Sequence, residues 1–201
     1  LATPDFNPVA VMSNKPEPDH GRIRVYTRQG FSNRRLKSLE GYMRDRATVL
    51  VDQMVTDGSP AEFVKALAFP LPAEIVFRFL GFPPEDDVMV KSWCANRRAF
   101  SWGMPTAEEQ VEIAEGMVSY WRYCRDFVAQ RRDERTDDFT SELLDAHDAD
   151  PDPTNGTGLS YLEVESIVYG FSFAGHAPVT ALLCNTLLCL LPRRDQWDAL
   201  C

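Results

Sequence analysis

The sequence lacks several features that would assign a small protein at once. Its five cysteines are odd in number and include no Cys-x-x-Cys pair, so a reducing, cytoplasmic environment is expected rather than a disulfide framework. Lys and Arg number 21 against 30 Asp and Glu, and the formal charge of −9 argues against general nucleic-acid binding. No signal or transit peptide pattern stands at Leu1, and both ends look cut.

Strand patterns are scarce and internal repeats are absent, whereas helical spacing of apolar residues recurs along the chain. With 44% hydrophobic residues, the 201 residues can form a sizeable core. We therefore expect a mainly α fold, with at most one strand after a short helix over 61–69. The predicted helices cover 19–28, 33–57, 72–81, 85–102, 106–135, 138–146 and 159–191, and another starts over 193–201.

The stretch from Leu159 to Leu191 is the most apolar part of the chain. Ser160 and Glu163 form a capping-box pattern, which predicts a helix start. A helix that is apolar on every side must be buried in a large core or in a bilayer. Polar residues along it, such as Ser172 and Asn185, and charged flanks favour the core.

Near the middle of this helix lies the segment Ala174-Gly175-His176-Ala177-Pro178. Pro178 cannot donate a hydrogen bond to the carbonyl of Ala174, so a kink or bulge is expected there. Ala174 and Gly175 would let a flat group approach the main chain closely. A cofactor-facing surface and a close contact between two helices both fit this pattern.

Basic residues are concentrated early in the chain. His20 and Arg24 are four residues apart, so on a helix they share a face and could hold one carboxylate or phosphate together. Between Arg22 and Arg46 there are eight Lys or Arg and only two acids. This patch could attract an acidic partner protein. A solvated basic helix face explains both features equally simply.

Two further segments carry weaker signals. Trp93 and Phe100 lie on one predicted helix, where they could line a pocket, although core packing is the commoner reason for such aromatics. Residues 148–158 (DADPDPTNGTG) are acidic and poor in apolar residues, which predicts a mobile loop.

Taken in order, the segments resemble the middle of a bacterial cytochrome P-450, a haem–thiolate monooxygenase. The phrase PEPDHGRIRVYTRQGFSNRRL resembles helix C of that family, FPLPAEIVFRFLGFPPED helix E, DDFTSELL the segment before the acidic loop, FSFAGHAPVTALLCNTLLCLL helix I, and LPRRDQWDAL the start of helix J. The resemblance covers nearly the whole chain in the family's order. It implies a partial cytochrome P-450 fold that runs from helix C to helix J.

The resemblance also implies ligands and partners. The cofactor would be haem b (iron protoporphyrin IX), with His20 and Arg24 on its propionates and with Ala174 and Gly175 over its distal face. The basic patch would meet an electron donor, either a ferredoxin or a flavin reductase, separate or fused. O2 and a small organic substrate would bind, and neither nucleic acid nor a membrane would. The residues that line the substrate pocket by this likeness are Phe173, Ala177, Trp93 and Phe100.

The chain departs from the family's pattern in two places. The family's thiolate ligand lies in a glycine-rich loop after a Glu-x-x-Arg helix, and neither is present in these residues. We therefore expect the metal ligand beyond Cys201 and assign no metal to any of the cysteines, which are Cys94, Cys124, Cys184, Cys189 and Cys201. A chain ending at Cys201 would be inactive by itself.

The second departure concerns proton supply. Where helix I of the family usually has an acid followed by a threonine, this chain has Ala177 and Pro178. Catalytic function would then fall on water held at the Ala174 carbonyl beside Pro178, with help from His176 or Thr180. A structural role is the simpler interpretation of His176, and Thr180 would reach the site only through a bulge in the helix.

The resulting hypothesis is part of a haem–thiolate monooxygenase that takes electrons from a redox partner and inserts one oxygen atom into a small organic substrate. One alternative is a peroxide-driven or other haem enzyme of the same fold, suggested by the changes at Ala177 and Pro178. A second alternative is a helical ligand-binding or regulatory domain without enzymatic activity.

Overall fold

The computed structural model describes residues 11–200, and the side chains of residues 95–102 lie outside that description. Nine α-helices are present in this part of the chain. They are α1 (Asp19–Gly30), α2 (Asn33–Asp57), α3 (Pro70–Leu80), α4 (Asp87–Trp102), α5 (Ala107–Asp133), α6 (Phe139–Ala149), α7 (Tyr161–Ala174), α8 (Ala177–Leu190) and α9 (Arg194–Leu200).

The connections contain short helical turns. Three are 3-10 turns (Met12–Asn14, Pro84–Asp86 and Pro153–Asn155), and Val64–Ala68 is a π-helical segment. Between residues 11 and 200 no strand occurs, which corrects the strand expected after 61–69. The π-helical segment leads directly into α3, which begins at Pro70 rather than at the expected residue 72.

The spacing of Thr106 and Glu109 predicts a second capping box besides that of Ser160 and Glu163, and capping side chains start both helices. Thr106 Oγ1 accepts from the Glu109 N–H at 3.3 Å, and Glu109 Oε2 accepts from the Thr106 N–H at 2.7 Å. Before α7, Ser160 Oγ accepts from the Glu163 N–H at 3.3 Å, and Glu163 Oε2 accepts from the Ser160 N–H at 2.9 Å. Both capping boxes are confirmed, because each satisfies helix-start N–H groups that no helical carbonyl can reach.

Helix α7 lies at the centre of the core. Nine of its 14 residues are buried, and it packs against α3, α5 and α6. Its contact with α5 is aromatic: Tyr169 and Tyr120 are almost completely buried, and their ring centroids are 5.3 Å apart. The core arrangement expected for the apolar stretch is therefore found for α7.

The predicted single helix over 159–191 is wrong in one respect, because the structure divides it into α7 and α8 at Gly175 and His176. The Gly175 N–H donates to the Phe171 carbonyl at 2.8 Å, whereas the His176 N–H reaches only Phe173 at 3.4 Å. Pro178 is the second residue of α8 and has no N–H for the Ala174 carbonyl. The break lies within the turn before the proline, where the pyrrolidine ring would meet the preceding carbonyls.

By length and hydropathy the residues from Tyr161 to Leu190 would suffice to cross a bilayer, a test that the core helix of a soluble protein also passes. The two halves differ in their surroundings. Within the described residues α7 is mostly covered, whereas α8 buries only Thr180 and exposes Leu182 (62%) and Leu188 (68%).

The loop before α7 contains a network of internal hydrogen bonds, and its mobility stays a prediction. The Asp150 carboxylate accepts from Asn155 Nδ2 at 3.0 Å and from Thr157 Oγ1 at 2.7 Å. The Asn155 side-chain oxygen in turn accepts from the Thr157 and Gly158 N–H groups at 2.7 and 3.0 Å. The polar residues of this acidic segment thus organise its backbone in the manner of Asx turns.

Candidate functional site

The break between α7 and α8 separates two faces. Ala174 and Pro178 are exposed and Ala177 is half-buried, whereas His176 and Thr180 are buried. Residues three and four apart on a helix share a face, so the open side carries the small residues Ala174, Ala177 and Pro178. The structure therefore presents a surface without long side chains at this point of the longest apolar segment.

Gly175 faces away from this open surface and toward α3. A Cβ atom on Gly175 would lie 2.9 Å from Val76 Cβ and 3.1 Å from the Phe171 carbonyl oxygen. Only a residue without a side chain allows the break to pack this closely on α3. Ala174 is the open member of the predicted pair, and Gly175 makes the close helix contact that the sequence left as an alternative.

His176 and Thr180 lie on the buried side of the break. The imidazole of His176 is 3% exposed, and its ring meets the Phe69 ring edge-on with the centroids 5.4 Å apart. The Thr180 hydroxyl donates to the His176 carbonyl at 3.1 Å. The break therefore does not bring Thr180 to the face of Ala174 and Pro178, and catalytic roles for His176 and Thr180 stay predictions.

His20 and Arg24 lie on α1 as the spacing predicts. His20 Nδ1 is 3.1 Å from Glu17 Oε1, and the hydrogen bonds from His20 and from the Gly21 N–H lower the pKa of the Glu17 carboxyl. This contact orients the imidazole and leaves Nε2 for a second partner. Arg24 is exposed, and no described residue forms an ion pair with it.

Sequence reasoning missed the role of Arg22, which lies between His20 and Arg24. Arg22 was counted among the basic residues of the patch, yet its side chain is only 6% exposed. It forms a bidentate ion pair with the buried Glu163, at 2.6 and 3.1 Å. The hydrogen bonds that the Arg22 guanidinium donates to Glu163 and Asp19 raise its pKa. The one available signal was Glu163, the glutamate of the capping box. Its second partner, Arg22, is 141 residues away in the sequence.

Other arginines of the patch are also paired. Arg35 is 7% exposed and bound to Glu142, and Arg46 binds Glu74 at 2.6 Å. The residues of the predicted patch that form no ion pair with another described residue are Arg24, Arg28 and Lys37, all exposed. The positive surface is therefore narrower than its count of basic residues suggests, and we call these three residues the basic patch below.

The predicted pocket aromatics that can be placed lie in the core. The Trp93 ring stacks on Tyr120 with centroids 5.5 Å apart, and Phe173 meets the other side of the same cluster at 5.3 Å. Phe100 lies outside the described side chains. Trp93 and Phe173 thus join α4, α5 and α7, and their place in a substrate pocket stays a prediction.

The cysteines do not converge on one point. Cys94 and Cys124 are buried, Cys184 is half-buried and Cys189 is exposed, while Cys201 lies outside the described residues. Burial raises the pKa of the Cys124 thiol far above its ordinary value, so it stays protonated. Within residues 11–200, no group of three or more His, Cys, Asp or Glu side chains is arranged to hold a metal ion.

No protein-family model matches the chain. Its curated relatives include the nocardicin C N-oxygenase of Nocardia uniformis subsp. tsuyamanensis, 27% identical over 198 residues, which are 98% of this chain and 47% of the relative. The mycinamicin IV hydroxylase/epoxidase of Micromonospora griseorubida is 33% identical over 179 residues, which are 89% and 42% of the two chains. The chain spans about half the length of the curated relatives it matches.

Solved structures agree with these relatives. CalO2 superposes with a TM-score of 0.83 at 30% identity, over 96% of this chain and 47% of that chain. P-450 BioI, solved in complex with an acyl carrier protein, superposes with a TM-score of 0.81 at 26% identity, over 96% and 47%. The helices described above thus define a mainly α-helical protein related to oxygenases and hydroxylases. The family is the cytochromes P-450, and the chain belongs to it, which confirms the resemblance found in the sequence.

This family implies haem, and the residues present fit such a group. The open face at Ala174, Ala177 and Pro178 is apolar and free of long side chains, as a flat macrocycle requires. On α1, Arg24 and the Nε2 atom of His20 offer donors to carboxylates of the kind that haem carries.

Proposed function

We propose that this chain is part of a haem–thiolate monooxygenase that takes electrons from a redox partner and inserts one oxygen atom into a small organic substrate. The observation that carries the proposal is the helix break at Gly175 and His176, which leaves the small residues Ala174, Ala177 and Pro178 uncovered at the end of the buried helix α7. Two relatives, an N-oxygenase and a hydroxylase/epoxidase, support the same reaction class.

In this proposal haem b binds between α1 and the α7–α8 break. His20 and Arg24 hold its propionates, and Ala174 contacts its distal face together with Ala177. Bound haem supplies the iron at which oxygen is activated, and its thiolate ligand comes from residues other than those described. The small side chains of Ala174 and Ala177 leave room for oxygen and for part of the substrate.

Proton supply must differ from the usual pattern, because neither Ala177 nor Pro178 carries an acidic or hydroxyl group. The missing N–H of Pro178 leaves the Ala174 carbonyl without its regular helical donor, so a water molecule can hydrogen-bond there and pass on a proton. Thr180 uses its hydroxyl on the His176 carbonyl, which removes it from this route.

The proposed partners follow from charge and from the relatives. A ferredoxin or flavin reductase with an acidic docking surface fits the basic patch at Arg24, Arg28 and Lys37. The odd number of cysteines and the absence of a CxxC pair favour a cytoplasmic protein. One structural neighbour was solved with an acyl carrier protein, so a carrier-bound substrate is a second possibility for the small organic group.

The spectrum of the full-length protein tests the proposal. After reduction and CO binding, we expect the Soret band at the red-shifted position that a thiolate ligand gives. A haem spectrum without that shift would show that a ligand other than a thiolate binds the iron. A full-length protein that takes up no haem would overturn the proposal and favour a ligand-binding domain without enzymatic activity.

A second candidate is peroxide-driven turnover by the same haem site. The observation in its favour is the pair Ala177 and Pro178, which lacks the groups that usually deliver protons during oxygen activation. Product formation with hydrogen peroxide and no reductase is the expected result for this alternative. Product formation only with a reductase, O2 and reduced nicotinamide would exclude it.

A further inference from the structure

A buried arginine joins α1 to the start of α7. The Arg22 guanidinium donates to both carboxylate oxygens of Glu163, at 2.6 and 3.1 Å, and to Asp19 Oδ1 at 3.1 Å. It also donates to the Gly158 carbonyl, and the side chains of Arg22 and Glu163 are only 6% and 7% exposed. A bidentate pair of this kind fixes direction as well as distance.

The same carboxylate fixes the beginning of α7. Glu163 Oε2 accepts from the Ser160 N–H at 2.9 Å within the capping box, while both of its oxygens face Arg22. Burial raises the pKa of Glu163, but the hydrogen bonds from Arg22 and from Ser160 outweigh burial and lower it. Glu163 is therefore ionised at neutral pH and serves two helices at once.

The loop over 150–158 completes the connection. Tyr26, one turn along α1 from Arg22, donates its hydroxyl hydrogen to the Thr157 carbonyl at 2.5 Å. The internal hydrogen bonds of the loop hold Thr157 and Gly158 in place for these two donors. Helix α1 packs on α6, and Arg22 adds a direct bond from α1 to Glu163 of α7 while Tyr26 holds the loop before α7.

We propose that Arg22 is a positioning residue for the cofactor site: it touches neither haem nor substrate, and it sets the rotation of α1 that aims His20 and Arg24. Each of those residues is two positions from Arg22, which on a helix of 3.6 residues per turn is a rotation of about 200°. Anchoring Arg22 inside the protein therefore turns His20 and Arg24 outward on the opposite side. This inference rests on the proposed haem site.

The test compares haem retention in variants of the full-length protein. We expect Arg22→Gln to lose haem to apomyoglobin about tenfold faster or more, as is typical when a supporting partner of a ligand residue is removed. Glu163→Gln should act in the same direction, and the double variant should lose haem no faster than Arg22→Gln alone. Arg22→Lys keeps the positive charge but cannot form the bidentate pair, so its rate of haem loss should lie between those of the wild type and Arg22→Gln.

Arg35→Gln is the matched control. Arg35 is as buried as Arg22, at 7%, but it joins α2 to α6 through Glu142. Arg35→Gln should lower the free energy of unfolding of the haem-free protein about as much as Arg22→Gln does, without speeding haem loss. Equal rates of haem loss in Arg22→Gln and Arg35→Gln would overturn the positioning role alone, whereas a wild-type protein without haem would overturn the proposed function. Arg22→Lys carries the same comparison if Arg22→Gln does not fold.

Discussion

Asp87, the first residue of α4, lies in a cluster of charges between α2, α3 and α4. Burial, together with the nearby Glu74 and Asp86, raises its pKa to about 6, although Lys91 and Arg46 act in the opposite direction. A carboxyl whose pKa is higher in the folded state stabilises the fold when protonated, and that stabilisation is lost as the pH rises through about 4 to 6.

Replacing Asp87 by Asn should therefore raise the free energy of unfolding at pH 7, by on the order of 1 kcal/mol after solvent screening is allowed for. The gain should be much smaller near pH 4, where the wild-type carboxyl is protonated in the folded state and partly protonated in the unfolded chain. Denaturant unfolding at the two pH values measures this difference. Asp52→Asn, at an exposed position of α2, is the control and should change little at either pH. A gain for Asp87→Asn that is the same at both values would contradict the argument.

The individual residues show where sequence reasoning reaches its limit. The spacing of His20 and Arg24 is local, so their common helix could be predicted. The burial of Arg22 depends on Glu163, which is 141 residues away, and no local pattern distinguishes Arg22 from the exposed arginines beside it. The same limit applies to Thr180, whose hydroxyl partner depends on where the helix breaks.

The helices were easier to predict than the contacts between them. Helix ends followed capping residues and prolines, and the expected bounds differ from those found by three residues at most, as at the end of α6 (146 expected, Ala149 found). The break between α7 and α8 followed from Pro178, but its packing on α3 did not. That packing depends on Val76 of α3, which is far from Gly175 in the sequence.

The close approach of the break to α3 makes a prediction for Gly175. A Cβ atom there would overlap the Val76 side chain, at 2.9 Å from its Cβ, and would lie 3.1 Å from the Phe171 carbonyl oxygen, so Gly175→Ala must push α7 and α3 apart. We expect a loss of about 1–3 kcal/mol in the free energy of unfolding. In a Val76→Ala background the same substitution should cost less, because the obstructing methyl groups are gone.

Gly41→Ala on α2 provides the matched comparison. Nothing lies within 4 Å of a Cβ atom at Gly41, so alanine there should stabilise the helix by about 0.5–1 kcal/mol. Urea unfolding of the four variants (Gly175→Ala, Val76→Ala, their combination and Gly41→Ala) measures all the effects. Strict additivity of Gly175→Ala and Val76→Ala would show that the break does not depend on contact with Val76.

On the scale of the whole molecule, the order of helices could be predicted because each matching phrase occurs in the family's sequence order. The distribution of exposed surface could not. Helix α8 is as apolar as α7 in sequence, yet only α7 is mostly covered within the described residues, since burial depends on which elements surround each half. The stretch from Arg22 to Arg46 is a similar case, because five of its eight basic side chains form ion pairs with acidic residues, four of them on other helices.

The remaining positive charges stand out against a formal charge of −9, which gives the last prediction. If an acidic electron donor docks on the basic patch, Arg28→Glu should slow reduction of the full-length protein by roughly tenfold at low ionic strength, because a positive steering charge becomes negative. The difference from wild type should shrink as salt is added, since exposed charges are screened. Lys65→Glu makes the same charge change at an exposed site outside the patch and should have little effect on the rate of reduction.

Stopped-flow reduction at several salt concentrations measures both variants. Equal slowing by the two would mean that the total charge of the protein governs association, and not the patch at Arg24, Arg28 and Lys37.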